Sequence, residues 1–101
     1  MILEIANIEI LPDSHDDFRA AIKRGVEEVL FKSEGFIKFE YFQGIEDPNV
    51  YTLHVYWQTL EDHMVTFRQG PLFIEWRSII GDYFASAPIV KHVNSIEKLQ
   101  M

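Results

Sequence analysis

From residue 2 to residue 10 the chain alternates Ile2, Glu4, Ala6, Ile8 and Ile10 against Leu3, Ile5, Asn7 and Glu9, and both sets are largely apolar. A strand apolar on both sides belongs inside a sheet, with material packed on each face. That requirement constrains everything after it. Residues 36–43 alternate Ile37, Phe39 and Tyr41 with Lys38 and Glu40, whose charges suit a sheet edge. The turn Glu46-Asp47-Pro48-Asn49 joins them to residues 50–57, a third strand with Tyr51, Leu53, Val55 and Trp57 on one face and Thr52, His54 and Tyr56 on the other. Residues 89–94 form a fourth strand, with Val90, His92 and Asn94 sharing a face.

Two helical stretches separate these strands. The first spans residues 14–32, opened by a capping pair Ser14 and Asp17, with Phe18, Ala21, Ile22, Gly25, Val26 and Val29 inward. Gly25 costs helix propensity, which predicts a close approach of this helix to the sheet, and Gly35 closes the helix. The second stretch is capped at Thr59, broken at Gly70-Pro71 and bounded by Pro88. Helical spacing puts Leu60, His63, Met64 and Phe67 on one face. Beyond the break, Leu72, Trp76, Ile79 and Tyr83 form one stripe and Phe73, Arg77, Ile80 and Phe84 its neighbour.

The order βαββαβ over 101 residues predicts one domain, residues 1–101. Its fold class is α+β, a ferredoxin-like sandwich of helices on one face of an antiparallel sheet. The opposite face stays apolar, and a 14% aromatic content exceeds what so small a domain hides, so a homodimer with sheets stacked face to face is expected. A charge at Ile8 is expected to split it. Between helices and sheet, aromatic side chains with polar tips predict a ligand cavity.

A formal net charge of −7 with no basic run argues against nucleic acid and membrane surfaces as partners. The absence of cysteine removes disulfides, thiol nucleophiles and thiolate metal sites. The amino terminus carries no basic region followed by an apolar core and cleavage site, so a cytoplasmic location is expected. No glycine-rich phosphate loop follows a strand, the four histidines show no metal-ligand spacing, and no G-x-S-x-G elbow occurs. No cofactor and no metal are expected. His63 is the candidate for proton transfer, against the alternative of a helix histidine bonded to a backbone carbonyl. Phe67, Phe73, Trp76, Arg77 and Tyr83 cluster with it as candidate substrate contacts. Asn7 is either an interior amide satisfied by its neighbours or a hydrogen-bonding group of the cavity.

The series Glu46-Asp47-Pro48, Tyr51, Leu53, Val55, Trp57, Leu60-Glu61, His63, Phe67-Arg68, Pro71, Phe73, Trp76-Arg77, Phe84, Pro88, Val90 and His92 resembles the antibiotic biosynthesis monooxygenase domain family. The resemblance implies a dimeric α+β barrel with one pocket per subunit. It also implies a monooxygenase that oxidises a small phenol or hydroquinone with dioxygen, using neither metal nor flavin. In that reaction His63 would take the phenolic proton, Asn7 would bond the oxygen anion, and the aromatic cluster would hold the ring. Two alternatives stay open. One is a non-catalytic dimer that binds an apolar metabolite. The other is a haem-binding or haem-degrading relative, for which Asn7 matches the strand asparagine while the helix tryptophan falls on Phe67 and the iron ligand on or beside Arg77.

Overall fold

In the computed structural model, which describes residues 1–101, the chain runs β1 (Ile2–Glu9), α1 (His15–Glu28), β2 (Phe36–Gln43), β3 (Val50–Trp57), a π-helical turn (Asp62–Phe67), α2 (Pro71–Ile80) and β4 (Ile89–Val93). Short 3₁₀ turns, Leu30–Lys32 and Gly81–Tyr83, follow the two α-helices. The sheet order is β2-β3-β1-β4, every neighbour antiparallel. The strand apolar on both faces is thus interior, and the strand carrying Lys38 and Glu40 lies at an edge. The chain has the α+β, ferredoxin-like architecture its periodicities predict.

One sheet face carries Glu4, Ala6 and Ile8 of the first strand, Ile10 just beyond its end, and Tyr51, Leu53, Val55 and Trp57 of the third, all buried. Phe18, Ile22, Val29 and Leu30 cover it from one side and Trp76, Ile79 and Ile80 from the other. Each large apolar side chain withdrawn from water contributes about 1.5–3 kcal/mol before conformational entropy is subtracted.

Several local expectations are corrected. Ser14 caps nothing: its Oγ lies 3.4 Å from the Pro12 carbonyl and makes no bond to the helix. The first helix stops at Glu28 because the backbone tightens, with Lys32 N bonded to Val29 O at 3.1 Å and Ser33 N to Leu30 O at 3.0 Å. Gly35 has φ +79° and faces the Asp62 side chain, which occupies the space a Cβ would need. The last strand ends at Val93, and residues 94–101 continue without regular structure. No helix is long and apolar enough to cross a membrane.

Gly25 permits a close approach, but to α2 rather than to the sheet. A Cβ there would stand 2.7 Å from Cζ3 of Trp76, whose indole is buried. Alanine gains about 1 kcal/mol of helix propensity, yet a rigid ring must be displaced, and overpacking costs about 1–3 kcal/mol. Gly25→Ala is therefore expected to lose about 1 kcal/mol net. The melting temperature should fall by several degrees, about 4–8 °C per kcal/mol for a domain this size. A rise in melting temperature would show that the helices have room to spare.

The other sheet face is open. Leu3, Ile5 and Asn7 lie on it between Thr52, His54 and Tyr56 on one side and Ile89, Lys91 and Val93 on the other. Phe42 stands edge-on to His54, ring centroids 4.8 Å apart. Ile8 is not on this face. Only 2% exposed and in phase with Ala6 and Ile10, it belongs to the covered core, so a charge there strikes the fold rather than a dimer contact.

Candidate functional site

Thr59 starts the second helical stretch, its Oγ1 accepting the Asp62 amide at 3.0 Å. The backbone then widens. Arg68 N donates to His63 O at 2.9 Å, a five-residue step that defines a π turn. The wider turn aligns His63 with Phe67 and buries both, while Leu60 and Met64 rotate outward to 48% and 36% exposure. The predicted apolar stripe around His63 is thereby replaced by a different environment, which comes from the sheet.

Strand register supplies that environment. Glu4 on β1 lies directly opposite His92 on β4, and Trp57 at the end of β3 reaches back over the same face. Trp57 Nε1 donates to Glu4 Oε1 at 3.0 Å. His63 Nε2 stands 3.2 Å from the same oxygen, and His63 Nδ1 stands 2.8 Å from His92 Nε2. Carboxyl, imidazole and imidazole form a line from the buried sheet face to the half-buried His92 near the sheet edge. They are strung in sequence rather than converging on a point, and no cluster of three or more acidic, histidine or cysteine side chains is placed to hold a metal.

Burial sets the protonation of this line. It pushes the Glu4 carboxyl up to about 7, against the opposing pull of the Trp57 hydrogen bond and the Arg68 charge. It pushes His63 down to about 4, helped by His92 and by Arg68, and lowers His92 as well, again with help from Arg68. The short Glu4–His63 contact is therefore a neutral hydrogen bond at mildly acidic pH, not an ion pair. With Glu4 protonated, its proton faces His63 Nε2 and the Nδ1 proton faces His92. With Glu4 ionised, both imidazoles take the other tautomer and point their protons toward it. One proton shift at Glu4 thus reverses the whole line.

This has a consequence for stability. The folded state holds the Glu4 proton up to about pH 7, whereas the unfolded chain releases it near 4.5, so the Glu4 contribution is complete below 4.5 and lost as pH rises through 7. Glu4→Gln lacks that contribution. Relative to wild type, its unfolding free energy should climb between pH 4.5 and 7 by up to about 3 kcal/mol. Denaturant titrations of both proteins across that window check it, and a constant difference would place the Glu4 carboxyl at its ordinary value.

The line borders a cavity of about 80 Å³ that opens to solvent. Trp57, His63, Phe67 and Phe73 form an aromatic wall: the indole stacks on His63 at 5.2 Å and 21°, and Phe73 meets Phe67 edge-on at 5.8 Å. Ala6, Ile8, Leu53 and Val55 form the floor, and Trp76, Ile80, Phe84 and Val90 close the sides. Arg68 and Arg77 are exposed at the mouth, their guanidinium carbons 5.4 and 5.9 Å from the Phe73 ring centre, with Arg77 also 5.1 Å from that of Phe84.

Of the residues singled out from sequence, His63, Phe67, Phe73, Trp76 and Arg77 meet at this cavity. Asn7 does not. It points to the open sheet face, where its Oδ1 accepts the Thr52 hydroxyl at 2.8 Å, because its neighbours Ala6 and Ile8 take the inward positions. Tyr83 also lies elsewhere, its ring against Phe18 at 6.4 Å. The 3₁₀ turn Gly81–Tyr83 changes the helical phase and brings Phe84 to the cavity instead. Glu4, Trp57, Arg68 and His92 join the site beyond what the sequence predicts. The available signal for Glu4 was a carboxylate in phase with Ala6, Ile8 and Ile10, and for His92 its phase with Val90.

The family model for antibiotic biosynthesis monooxygenase matches residues 1–78. A solved structure of a candidate antibiotic biosynthesis monooxygenase from Bordetella bronchiseptica superimposes with a TM-score of 0.90 at 36% identity, covering 95% of this chain and 97% of that one. The uncharacterized protein YczJ of Bacillus subtilis (strain 168) is 26% identical over 96 residues, 95% of this chain and all of the relative. SnoaB, a cofactor-independent oxygenase from Streptomyces nogalater, shares the fold with a TM-score of 0.78 at 10% identity, covering 99% and 97% of the two chains.

Proposed function

The chain belongs to the antibiotic biosynthesis monooxygenase family, and from that premise we propose that it oxidises a small phenol or hydroquinone-type aromatic with dioxygen, independently of any cofactor. The observation that carries this reading is a buried carboxyl held near neutrality beside an imidazole line, at the inner end of an aromatic cavity. The likeness in fold to a cofactor-independent oxygenase supports it.

Both ring nitrogens of His63 are engaged, so the base is the Glu4–His63 pair rather than His63 alone. Trp57 and His63 both use Oε1 of Glu4, which leaves Oε2 free on a residue that lines the cavity. A phenolic O–H gives its proton to that carboxylate, and the neutral Glu4 hands a proton on through His63 to His92 once both imidazoles have switched to the tautomer that faces an accepting nitrogen toward it. The remaining phenolate is electron-rich enough to reduce dioxygen directly. A ring carbon para to the oxygen gains a C–O bond as a hydroperoxide. Cleavage of the O–O bond with loss of the ring hydrogen leaves a quinone and one water. Phenol and O₂ thus become quinone and H₂O, with all electrons supplied by the substrate. Trp57, Phe67, Phe73 and Trp76 hold the ring and exclude bulk water, which strengthens the charge interactions within.

The reading includes a homodimer that covers the open sheet face, where Leu3, Ile5, Tyr56 and Ile89 face solvent. An oxygen electrode tests the activity on a panel of phenols and hydroquinones. The pure protein without added reductant should consume one dioxygen per phenol converted to quinone. Ligand binding with no consumption above the blank would instead make it a binding protein.

A further inference from the structure

We infer that the ligand of this cavity carries a carboxylate, held at the mouth by Arg68 and Arg77 while its aromatic body occupies the interior. The inference rests on the cavity being the ligand site. It does not depend on whether the ligand is turned over.

The chain holds 16 acidic side chains against nine lysines and arginines, so a cation on its surface has abundant acids to pair with. Two of its arginines nevertheless border a mostly apolar cavity without a partner. Arg24–Glu28 is the ion pair of the chain, the Glu4–His63 contact being a neutral hydrogen bond, and neither Arg68 nor Arg77 takes part in either. Both guanidiniums lie against the ring of Phe73, and Arg77 lies against Phe84 too. A guanidinium resting on an aromatic face keeps its edge N–H groups available, and that edge matches the two oxygens of a carboxylate.

The two arginines come from different elements, Arg68 just after the π turn and Arg77 from α2, so the fold itself brings their charges to one ring. Glu4 is the one carboxylate on the cavity wall, and its oxygen already accepts from Trp57 and meets His63. The positive charge of Arg68 is felt by Glu4, His63 and His92 alike, which places it within electrostatic reach of the whole line. A ligand acid bound there would neutralise that charge as it entered. An acid group outside and a phenol inside describe a hydroxylated aromatic acid.

Calorimetry with 1-naphthoate and 1-naphthamide, matched in shape and differing in charge, tests the inference without any turnover. Wild type should bind naphthoate at least about tenfold more tightly than the amide, since hydrogen bonds to charged groups contribute enough for one or two decades of affinity. That preference runs against the net charge of −7, so it cannot come from the protein's overall field. It should weaken with added salt and vanish in the Arg68→Gln/Arg77→Gln double variant, whose exposed positions leave the core untouched. Equal affinities in wild type, no binding of naphthoate, or a preference that survives the double variant would each overturn the inference. Because neither probe is a phenol, this result and the oxygen-uptake result can fail separately.

Discussion

His63→Gln is expected to lower oxygen consumption on an accepted phenol by about 10²–10⁴-fold, the range that positioned acid–base groups contribute. Glu4→Gln should lose a similar amount, and the double variant little more than either single one. Non-additivity is the signature of groups acting as a unit. In the proposed reaction Glu4 would meet the substrate and His63 would carry the proton away from it, so either change would stop the same transfer. The pH profile adds a readout that structural damage would not imitate. In wild type the rate should rise through about pH 7 as Glu4 ionises, and that inflection should disappear in Glu4→Gln. Losses that add in the double variant would separate the two residues and remove the relay.

The second large effect is one of position along a single strand. Ile8→Asp should abolish folding, whereas Ile5→Asp should leave a folded monomer. Ile8 is 2% exposed among Ala6, Ile10 and Tyr51, and a carboxylate there has no partner. An unpaired buried charge and a lost apolar side chain together exceed about 4 kcal/mol, much of the stability of a domain this size. Ile5 lies on the open face between His54 and Lys91, where a charge stays hydrated in the monomer but not between stacked sheets. Circular dichroism and sedimentation distinguish the outcomes. A wild-type protein that sediments as a monomer at micromolar concentration would contradict the dimer.

The fold was legible because period-two and period-3.6 patterns report what each element buries, and β1, β3 and the break at Gly70-Pro71 were written clearly in those patterns. The open face was legible for the same reason, though Ile8 was assigned to it. Two apolar faces on one strand do not reveal which of them the helices cover. Glu4 offers the missing clue only in retrospect, since a carboxylate in the inward phase resembles a solvent-facing one until its partners are known.

The site was legible in its aromatic residues and illegible in its polar chemistry. His63 and His92 are 29 residues apart, and their contact depends on β1–β4 register and on a π turn that helical spacing does not anticipate. The same cause moved Leu60 and Met64 outward. At the far end of α2 a short 3₁₀ turn exchanged Tyr83 for Phe84. For Asn7 the residues alone leave an interior amide and a cavity group equally open, the resemblance implies the cavity, and strand parity places it on the opposite face.

The central claim is that this cavity ionises a phenol. The most direct test binds 4-cyanophenol, which is poorly oxidised and whose anion absorbs apart from the neutral form, and follows its titration in the cavity by difference spectroscopy. The bound phenol should ionise at least about one pH unit below its value in water, with the shift reduced in Glu4→Gln and in His63→Gln. A bound phenol that ionises at or above its free value would contradict the account.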